Sequence, residues 1–558
     1  MDLDLFLHQL HFQNERVTPA NWEVNWDDAP HPYKLYRHLQ EFRLPDEIPL
    51  VIKDRPNLNK IAHFLWYTYG LTQFNQTAFS SSTGEEVAET MQGFRRFPPS
   101  GGGLYPSELY VYLKLEDLLH GIYHYDVVHH RLLLLRKGNF DSYLTRALGN
   151  SSSLSKCFGA VIITTMFWKN FFKYHNFSYR LQGLDAGALI GQLLEVSKRC
   201  CFHPKVHFQF LDHAVNHLLG LDGKEESTYA VIPLSEQKIP HEKTLGKCTT
   251  TALSQTIPEI KTTHVQRSQN VLPFSEIAQL HQETLLEATE FFRQLEARQE
   301  KIDYKVHIAL PAVQKKLSQN FTHACLNRYS PEMDFRAQRV NQVQLASLLK
   351  ESMDSYGYDN DLNNEENQKS RVSIYGCFYQ IDGIPNGAYL YDAASHSLLL
   401  IQEGDFRFRL QAGMSLHNVN LHQVPVCLHI VGDRTHHKGE LGYRGYRIQH
   451  MEAGMLLQRI LLTASALGMN GHPLLGFDIN GVDEIYDLEG SQKTTIIQVP
   501  VGFHWAKSWL VGGIGWGSLG IAGNSWGDRW DGSADSPENH GTSCGLHKGC
   551  IMNGNPIE

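Results

Sequence analysis

The 558-residue chain lacks several features that would assign it to a class at once. It has only nine cysteines, an odd and scattered set, which argues against a disulfide framework. No apolar run reaches the roughly 18 residues that span a bilayer, and the N-terminus lacks the basic start of a signal peptide. The net charge of -9 is modest for this length and predicts neither a nucleic-acid nor a membrane partner. We therefore expect a cytoplasmic protein.

The sequence also lacks the spacing of metal ligands. Adjacent histidine pairs among the thirty histidines lie in turn-like contexts rather than on one helical face. Near the C-terminus, Cys544, His547 and Cys550 offer three ligands where structural zinc needs four. We therefore predict no metal site.

A long internal repeat is present instead. The segment Gly121–Asp126 returns as Gly387–Asp392, and the segment that begins at Tyr179 returns at Tyr446. Two shorter landmarks further along keep the same spacing, which is 266 residues for the first pair and 267 for the others. A period this long indicates a duplicated domain rather than a solenoid. Two halves that fold alike can divide one ligand site between them.

The repeat divides the chain into five segments. They are an N-terminal arm that wraps the first domain (1–50), the first domain (51–236), a helical connector (237–320), the second domain (321–515) and a glycine-rich tail that we expect to be disordered (516–558). In the connector, an apolar stripe predicts a helix from Ser275 to Lys301. Strand and helix patterns alternate in both copies, so the predicted fold class is α+β.

A glycine-rich loop distinguishes the first copy. Its core is Pro99, Ser100, Gly101, Gly102 and Gly103. Glycines permit backbone N–H groups to approach a ligand closely, and the proline fixes the direction of the chain. A plain flexible loop is the alternative interpretation. The second copy has no glycines at the corresponding place.

The second copy has its own distinguishing residues. Arg328 and Ser330 lie two apart in an extended segment, so they point the same way and offer a guanidinium and a hydroxyl to one phosphate. Surface pairs of this kind are common, so this motif alone is weak. Further on, Leu475 and Gly476 occupy a segment whose first-copy counterpart has no glycine. Each half thus keeps what the other lost, which predicts one ligand site at the interface and a decayed mirror site.

Together these motifs resemble the FMN-binding nitroreductase superfamily and, more narrowly, the SagB-type dehydrogenases, which are azoline oxidases that form thiazoles and oxazoles. The resemblance implies two tandem nitroreductase-like domains, each a mostly antiparallel sheet flanked by helices, arranged as a pseudo-dimer. The chain would then be a monomer or a homodimer. The resemblance also implies that FMN is held by Arg328, Ser330, Leu475 and Gly476 of one half and is closed by the loop at 99–102 of the other.

A Lys-Tyr pair adds a catalytic prediction. Azoline oxidases resemble this chain in such a pair, here Lys173 and Tyr174, whereas the second copy has Glu440 and Leu441. An azoline becomes aromatic by losing a proton and a hydride, and a flavin takes only the hydride, so a base is needed. A desolvated lysine has a lowered pKa, and tyrosine can relay the proton or be held as phenolate. An exposed dipeptide without a role is the alternative.

Three functions remain open at this point. The first is an FMN-dependent oxidase that aromatises thiazolines or oxazolines in a ribosomally made peptide, with dioxygen as electron acceptor and a cyclodehydratase as partner. The second is an NAD(P)H-dependent flavin reductase of small nitro or quinone compounds. The third is a flavin-binding or empty scaffold that recruits a peptide without turnover.

Overall fold

The computed structural model describes residues 1–45, 55–79, 89–239, 246–295, 306–313, 317, 320–354, 357–363, 370–505 and 510–513. Within these residues, the helices are α1 (Leu3–Phe12), α2 (Leu58–Tyr69), α3 (Asp141–Ala147), α4 (Trp168–Tyr174), α5 (Ser178–Arg199), α6 (Asp212–Leu219), α7 (Thr250–Ser254), α8 (Ser275–Gln282), α9 (Phe321–Asn327), α10 (Gln342–Asp354), α11 (Arg407–Ala412), α12 (Lys438–Leu441), α13 (Arg444–Ala466) and α14 (Ile479–Ile485).

Strands are distributed over three sheets. In chain order they are β1 (Gln40–Arg43), β2 (Leu71–Phe79), β3 (Glu89–Arg96), β4 (Ser107–Leu113), β5 (Gly121–Asp126), β6 (Arg131–Lys137), β7 (Gly159–Met166), β8 (His203–Pro204), β9 (Glu226–Ser235), β10 (His307–Ala309), β11 (Ser373–Phe378), β12 (Gly387–Asp392), β13 (Ser397–Glu403), β14 (Val426–Asp433), β15 (Asn470–Gly471), β16 (Lys493–Gly502) and β17 (Leu510–Gly513).

Each half is built on a seven-stranded antiparallel sheet with the same strand order. The first sheet runs β1-β6-β5-β4-β7-β9-β8 and the second runs β10-β13-β12-β11-β14-β16-β15. The irregularities of the strand register also occur at equivalent positions in the two sheets. The bulge beside Ile122 corresponds to the one beside Ala388, and the bulge beside Ile163 corresponds to the one beside Ile430. These equivalences confirm the predicted α+β class and the internal duplication.

The two halves meet along the long helices α5 and α13. At their closest approach, a Cβ atom added to Gly187 would lie 2.0 Å from the Met451 carbonyl oxygen, and one added to Gly454 would lie 2.2 Å from the Leu184 carbonyl oxygen. Only glycine permits this contact. The interface of the predicted pseudo-dimer is therefore inside the chain, around the equivalent pair Gly187 and Gly454.

Strand β17 and the N-terminal arm each contact the other half of the chain. After the second sheet, β17 pairs with β2 and so joins the β2–β3 hairpin of the first half. The prediction that the N-terminal arm wraps the first domain is right only in part. Lys34 forms a buried 2.5 Å ion pair with Glu226 of the first half, but α1 lies on the second half, where His11 hydrogen bonds to Thr494 at 3.2 Å.

The connector is less helical than predicted. The helix expected from Ser275 to Lys301 ends at Gln282, and Lys301 lies outside the described residues. A tertiary contact accounts for the end, because the Leu286 N–H donates to the Asp212 carboxylate at 2.8 Å instead of continuing the helix. The predicted tail at 516–558 also lies outside the described residues. In the part of the chain that is described, no helix has the length and hydropathy that a bilayer crossing needs.

The helix contact predicts a large effect from one methyl group. Gly187→Ala should lower the free energy of unfolding by about 2 to 4 kcal/mol, since the helices must separate to admit a Cβ. Gly439→Ala is the matched control, because a Cβ there meets nothing within 4 Å and should change stability by less than about 0.5 kcal/mol. Urea unfolding measures both, and equal stabilities for the two variants would contradict the close contact.

Candidate functional site

The glycine-rich loop and the predicted catalytic pair lie against each other. The loop leaves β3 and makes a 3-10 turn in which Gly102 adopts a φ of 64°. A Cβ atom on Gly102 would lie 2.5 Å from the Tyr174 hydroxyl and 2.9 Å from Lys173 Nζ. Glycine is thus required both by the left-handed backbone and by the approach of these two side chains. The structure therefore brings Lys173, Tyr174 and the loop together within the first half.

Asp185 of α5 holds the loop in place. The Ser100 hydroxyl donates to its carboxylate at 2.7 Å, and the Gly101 N–H donates at 3.1 Å. Ser100 Oγ also accepts the Tyr105 N–H at 2.8 Å, which closes the turn. Ser100 and the Gly101 amide thus bond to the protein itself. From the sequence, Asp185 stands out only as part of the repeat, and its counterpart Glu452 holds Arg371 instead.

The pKa values of this cluster follow from burial. Burial raises the pKa of Asp185 to about 7, against the opposing effect of its two hydrogen bonds. Burial and the nearby Asp185 carboxylate raise the pKa of Tyr174 to about 12, so the neutral phenol is favoured over a phenolate. Burial lowers the pKa of Lys173, which favours its neutral amine. An amine with a lowered pKa beside a neutral phenol holds a larger neutral fraction than an ordinary lysine and so is better suited to accepting a proton.

Tryptophans of the N-terminal arm cover Lys173. Its Nζ lies 5.2 Å from the ring centroid of Trp26 and 5.0 Å from that of Tyr174. The indole N–H of Trp22 donates to the Lys173 carbonyl at 3.1 Å and fixes the end of α4. The arm therefore supplies part of the desolvation that lowers the lysine pKa.

Arg328 is buried without an acid to balance it. Its Nε donates to the Phe97 carbonyl at 3.0 Å, and its own carbonyl accepts from Arg95. Neither arginine has a carboxylate partner among the described residues, and the terminal nitrogens of Arg328 have no acceptor there. Burial and the charge of Arg95 lower the pKa of Arg328 to about 9. A buried and a half-buried guanidinium group without a carboxylate are the donor set that a phosphate would satisfy.

The second-half segment that contains Leu475 and Gly476 lies next to Arg328–Ser330. The Tyr329 N–H donates to the Asn470 side chain at 2.9 Å, just before this segment. Gly476 approaches Ser415, whose N–H donates to the Gly476 carbonyl at 2.9 Å. Among the described residues, the N–H groups of Leu475 and Gly476 have no acceptor, so they remain available to a ligand.

The mirror positions in the first half are sealed. Phe208 and Gln209 are the counterparts of Leu475 and Gly476, and their N–H groups donate to the Asp361 carboxylate at 3.0 and 2.8 Å. Arg444 donates to the Phe208 carbonyl at 2.7 Å from the other side. One of the two symmetry-related positions is therefore filled by the protein's own side chains. The sequence indicated that this site had decayed, but not that Asp361 occupies it.

Comparisons with known proteins agree with this architecture. Residues 336–503 match the nitroreductase family. A 162-residue segment is 30% identical to the trifolitoxin-processing protein TfxB of Rhizobium leguminosarum bv. trifolii, over 27% of this chain and 43% of that protein. A 131-residue segment is 27% identical to a Methanocaldococcus jannaschii protein assigned to the nitroreductases, over 24% of this chain and 64% of that protein. Neither relative is matched over two thirds of its own length.

A solved structure extends the likeness to nearly the whole chain. A protein of Anabaena variabilis assigned to the nitroreductases aligns with a TM-score of 0.69 over 90% of this chain and 99% of that one, at 21% identity. Residues 336–503 are therefore similar to the nitroreductases, and the two halves together have the tandem nitroreductase-like fold predicted from the sequence.

The raised pKa of Asp185 predicts a pH-dependent stability. The native carboxyl stays protonated up to about pH 7, whereas the unfolded one ionises near its ordinary value of 3.8. The native state then binds more protons than the unfolded state. The contribution of Asp185 to the free energy of unfolding is therefore greatest below about pH 4. It falls by up to about 4 kcal/mol as the pH rises to about 7.

Asp185→Asn should remove this dependence of stability on pH. The variant should gain stability relative to wild type as pH rises from about 4 to about 8, because an amide carries no charge to bury. Urea unfolding of both proteins across this range gives the difference directly. A difference that stays constant with pH would show that Asp185 titrates normally.

Proposed function

We propose that this protein is an FMN-dependent oxidase that aromatises thiazoline or oxazoline rings in a ribosomally made peptide. The observation that carries the proposal is the close approach of Lys173 and Tyr174 to Gly102, since a base at Lys173 would then lie beside the loop expected to close over the flavin. The name of the relative TfxB, a trifolitoxin-processing protein, supports a role in peptide maturation. The nitroreductase-family domain supports an oxidoreductase.

The donor groups fit FMN. Arg328 and Arg95 would bind its phosphate, with Ser330 adding a hydroxyl, because the guanidinium groups are buried and half-buried and neither has an acid partner among the described residues. The N–H groups of Leu475 and Gly476 would meet the ring system. When bound, the flavin would supply the two-electron acceptor for a hydride, with dioxygen as the final acceptor.

The protein's own residues would handle the proton. In the conversion of an azoline to an azole, one ring hydrogen leaves as a hydride and a second ring hydrogen leaves as a proton. The amine of Lys173 would accept that proton, since burial lowers its pKa and so increases the fraction that is neutral. The phenol of Tyr174 lies beside the same loop and would relay or orient the proton. The azoline itself must be supplied by a cyclodehydratase, which makes that enzyme the expected partner.

A small-molecule flavin reductase remains the competing function. The family match at 336–503 is compatible with it. The two functions differ in the reductant, because a reductase is reduced by NAD(P)H whereas an azoline oxidase is reduced by its substrate. Anaerobic bleaching of the flavin absorbance by an azoline peptide, and not by NAD(P)H, is the outcome that we expect.

Arg328→Ala should weaken FMN binding by about 1 to 3 kcal/mol, because it removes a charge-assisted phosphate contact. Arg339→Ala is the control, since Arg339 is an exposed arginine of the same half that pairs with Asp382. Fluorescence titration of apoprotein with FMN gives both affinities. If the Arg328 variant binds as wild type does, the phosphate is held elsewhere.

Lys173→Ala and Tyr174→Phe should lower the turnover of an azoline peptide by roughly 10²-fold or more, the usual scale of lost acid–base catalysis, while FMN stays bound. Glu440→Ala is the mirror control, because Glu440 is the exposed counterpart of Lys173 and should have little effect. Full activity in both first-half variants, or loss of activity in the Glu440 variant, would reverse the assignment of the active half.

A further inference from the structure

A cavity lies outside the candidate FMN site, between the N-terminal arm, the first sheet and the connector. Its volume is about 660 Å³, which is in the range of pockets for small ligands and peptide side chains. The walls come from four stretches of chain, at 30–34, 166–169, 222–225 and 264–282. The connector thus forms one whole side of it.

Part of the wall and of the rim is apolar. Phe167, Trp168 and Phe274 line the interior. Val271 and Leu272 stand on the connector side and are 41% and 43% exposed. Adjacent exposed aliphatic side chains beside an aromatic-lined cavity are typical of a surface that receives a partner.

A buried imidazole in the wall lacks a hydrogen-bond partner. His281 is 3% exposed, and neither of its ring nitrogens has a partner among the described residues. Its ring centroid lies 4.8 Å from that of Phe167, in an edge-to-face contact, and 6.2 Å from that of Tyr229, whose ring is nearly parallel. Burial lowers the pKa of His281 well below its ordinary value, so the ring is neutral and offers one donor and one acceptor. Both nitrogens are also closed to solvent, so the imidazole belongs to the wall itself.

The cationic side chains of the lining that have no ion pair favour an acidic ligand. The charged lining residues are Lys34, Lys169, Lys224, Arg267, Asp222 and Glu225. Lys34 and Lys169 are each paired with a buried glutamate behind the wall, and Glu225 pairs with His264. Lys224 and Arg267 have no ion-pair partner in the described part of the chain. Burial together with Arg267 and Lys169 lowers the pKa of His31, which indicates a positive field inside.

The cavity is also close to the candidate base. Trp168 and Lys169 in its wall belong to α4, which also carries Lys173. Four residues of helix correspond to a rise of about 6 Å, so Lys169 and Lys173 lie on successive turns of one helix. A chain seated in the cavity would therefore lead toward the lysine.

We propose that this cavity binds an acidic, apolar segment of the substrate peptide and thereby delivers the azoline to Lys173. The segment would place aliphatic or aromatic side chains against Phe167 and Phe274, and carboxylates near Lys224 and Arg267. This inference rests on the proposed peptide oxidation.

Fluorescence anisotropy of the full-length protein tests it. The probe is a fluorescein-labelled decapeptide of alternating leucine and glutamate with one phenylalanine, and the control peptide carries lysine at each glutamate. The acidic peptide should bind saturably and the basic one should not. Ala278→Trp fills the cavity from its wall and should weaken binding by about 10-fold or more. Gln279→Trp, the next and equally exposed residue of α8 but outside the lining, should leave binding unchanged.

Charge reversal gives the second comparison. Lys224→Glu in the lining should weaken binding by about 3- to 10-fold, whereas Lys261→Glu, an exposed connector lysine outside it, should not. Saturable binding that Ala278→Trp removes supports the site even if no azoline is oxidised, in which case only the proposed reaction fails. Conversely, azoline oxidation with an unchanged KM in Ala278→Trp, or no binding of the acidic peptide to wild type, overturns the site.

Discussion

The close crossing of α5 and α13 is the constraint on which the rest of the structure depends. At Gly187 and Gly454 the helix backbones touch, and no side chain fits between them. This contact fixes one half relative to the other and so determines which loops of the first half meet which strands of the second. Asp185, two residues before Gly187, then holds the glycine-rich loop from the same rigid helix.

The two sheets are related by symmetry, but the candidate site is not repeated in the two halves. The two sheets agree in strand order and in the positions of their bulges. At the edge of the candidate site they differ, because Asp361 accepts from the Phe208 and Gln209 amides while those of Leu475 and Gly476 have no acceptor among the described residues. The Asp361 carboxylate fills one position, and Arg328 and Arg95, which have no carboxylate partner in the described part of the chain, remain at the other, so the twofold arrangement has one candidate site.

The sequence predicted the parts of this arrangement that depend on local pattern. The long-period repeat gave the duplication, and the glycine loop and the Lys173-Tyr174 pair were identified by composition and resemblance. The helix assigned from Ser275 to Lys301 was wrong, because its end depends on the Asp212 carboxylate far away in the chain. Asp185 and Asp361 were missed for the same reason, since a single aspartate has no periodicity and acquires its role only from the amides that folding brings to it.

The stoichiometry of flavin binding tests the central claim most directly. The protein is reconstituted with excess FMN, freed of unbound flavin, and its flavin and protein concentrations are measured on a sample shown to be folded. A single shared site predicts one FMN per chain, because the mirror position is sealed by Asp361 and Arg444. Two FMN per chain in a saturated sample would contradict the account.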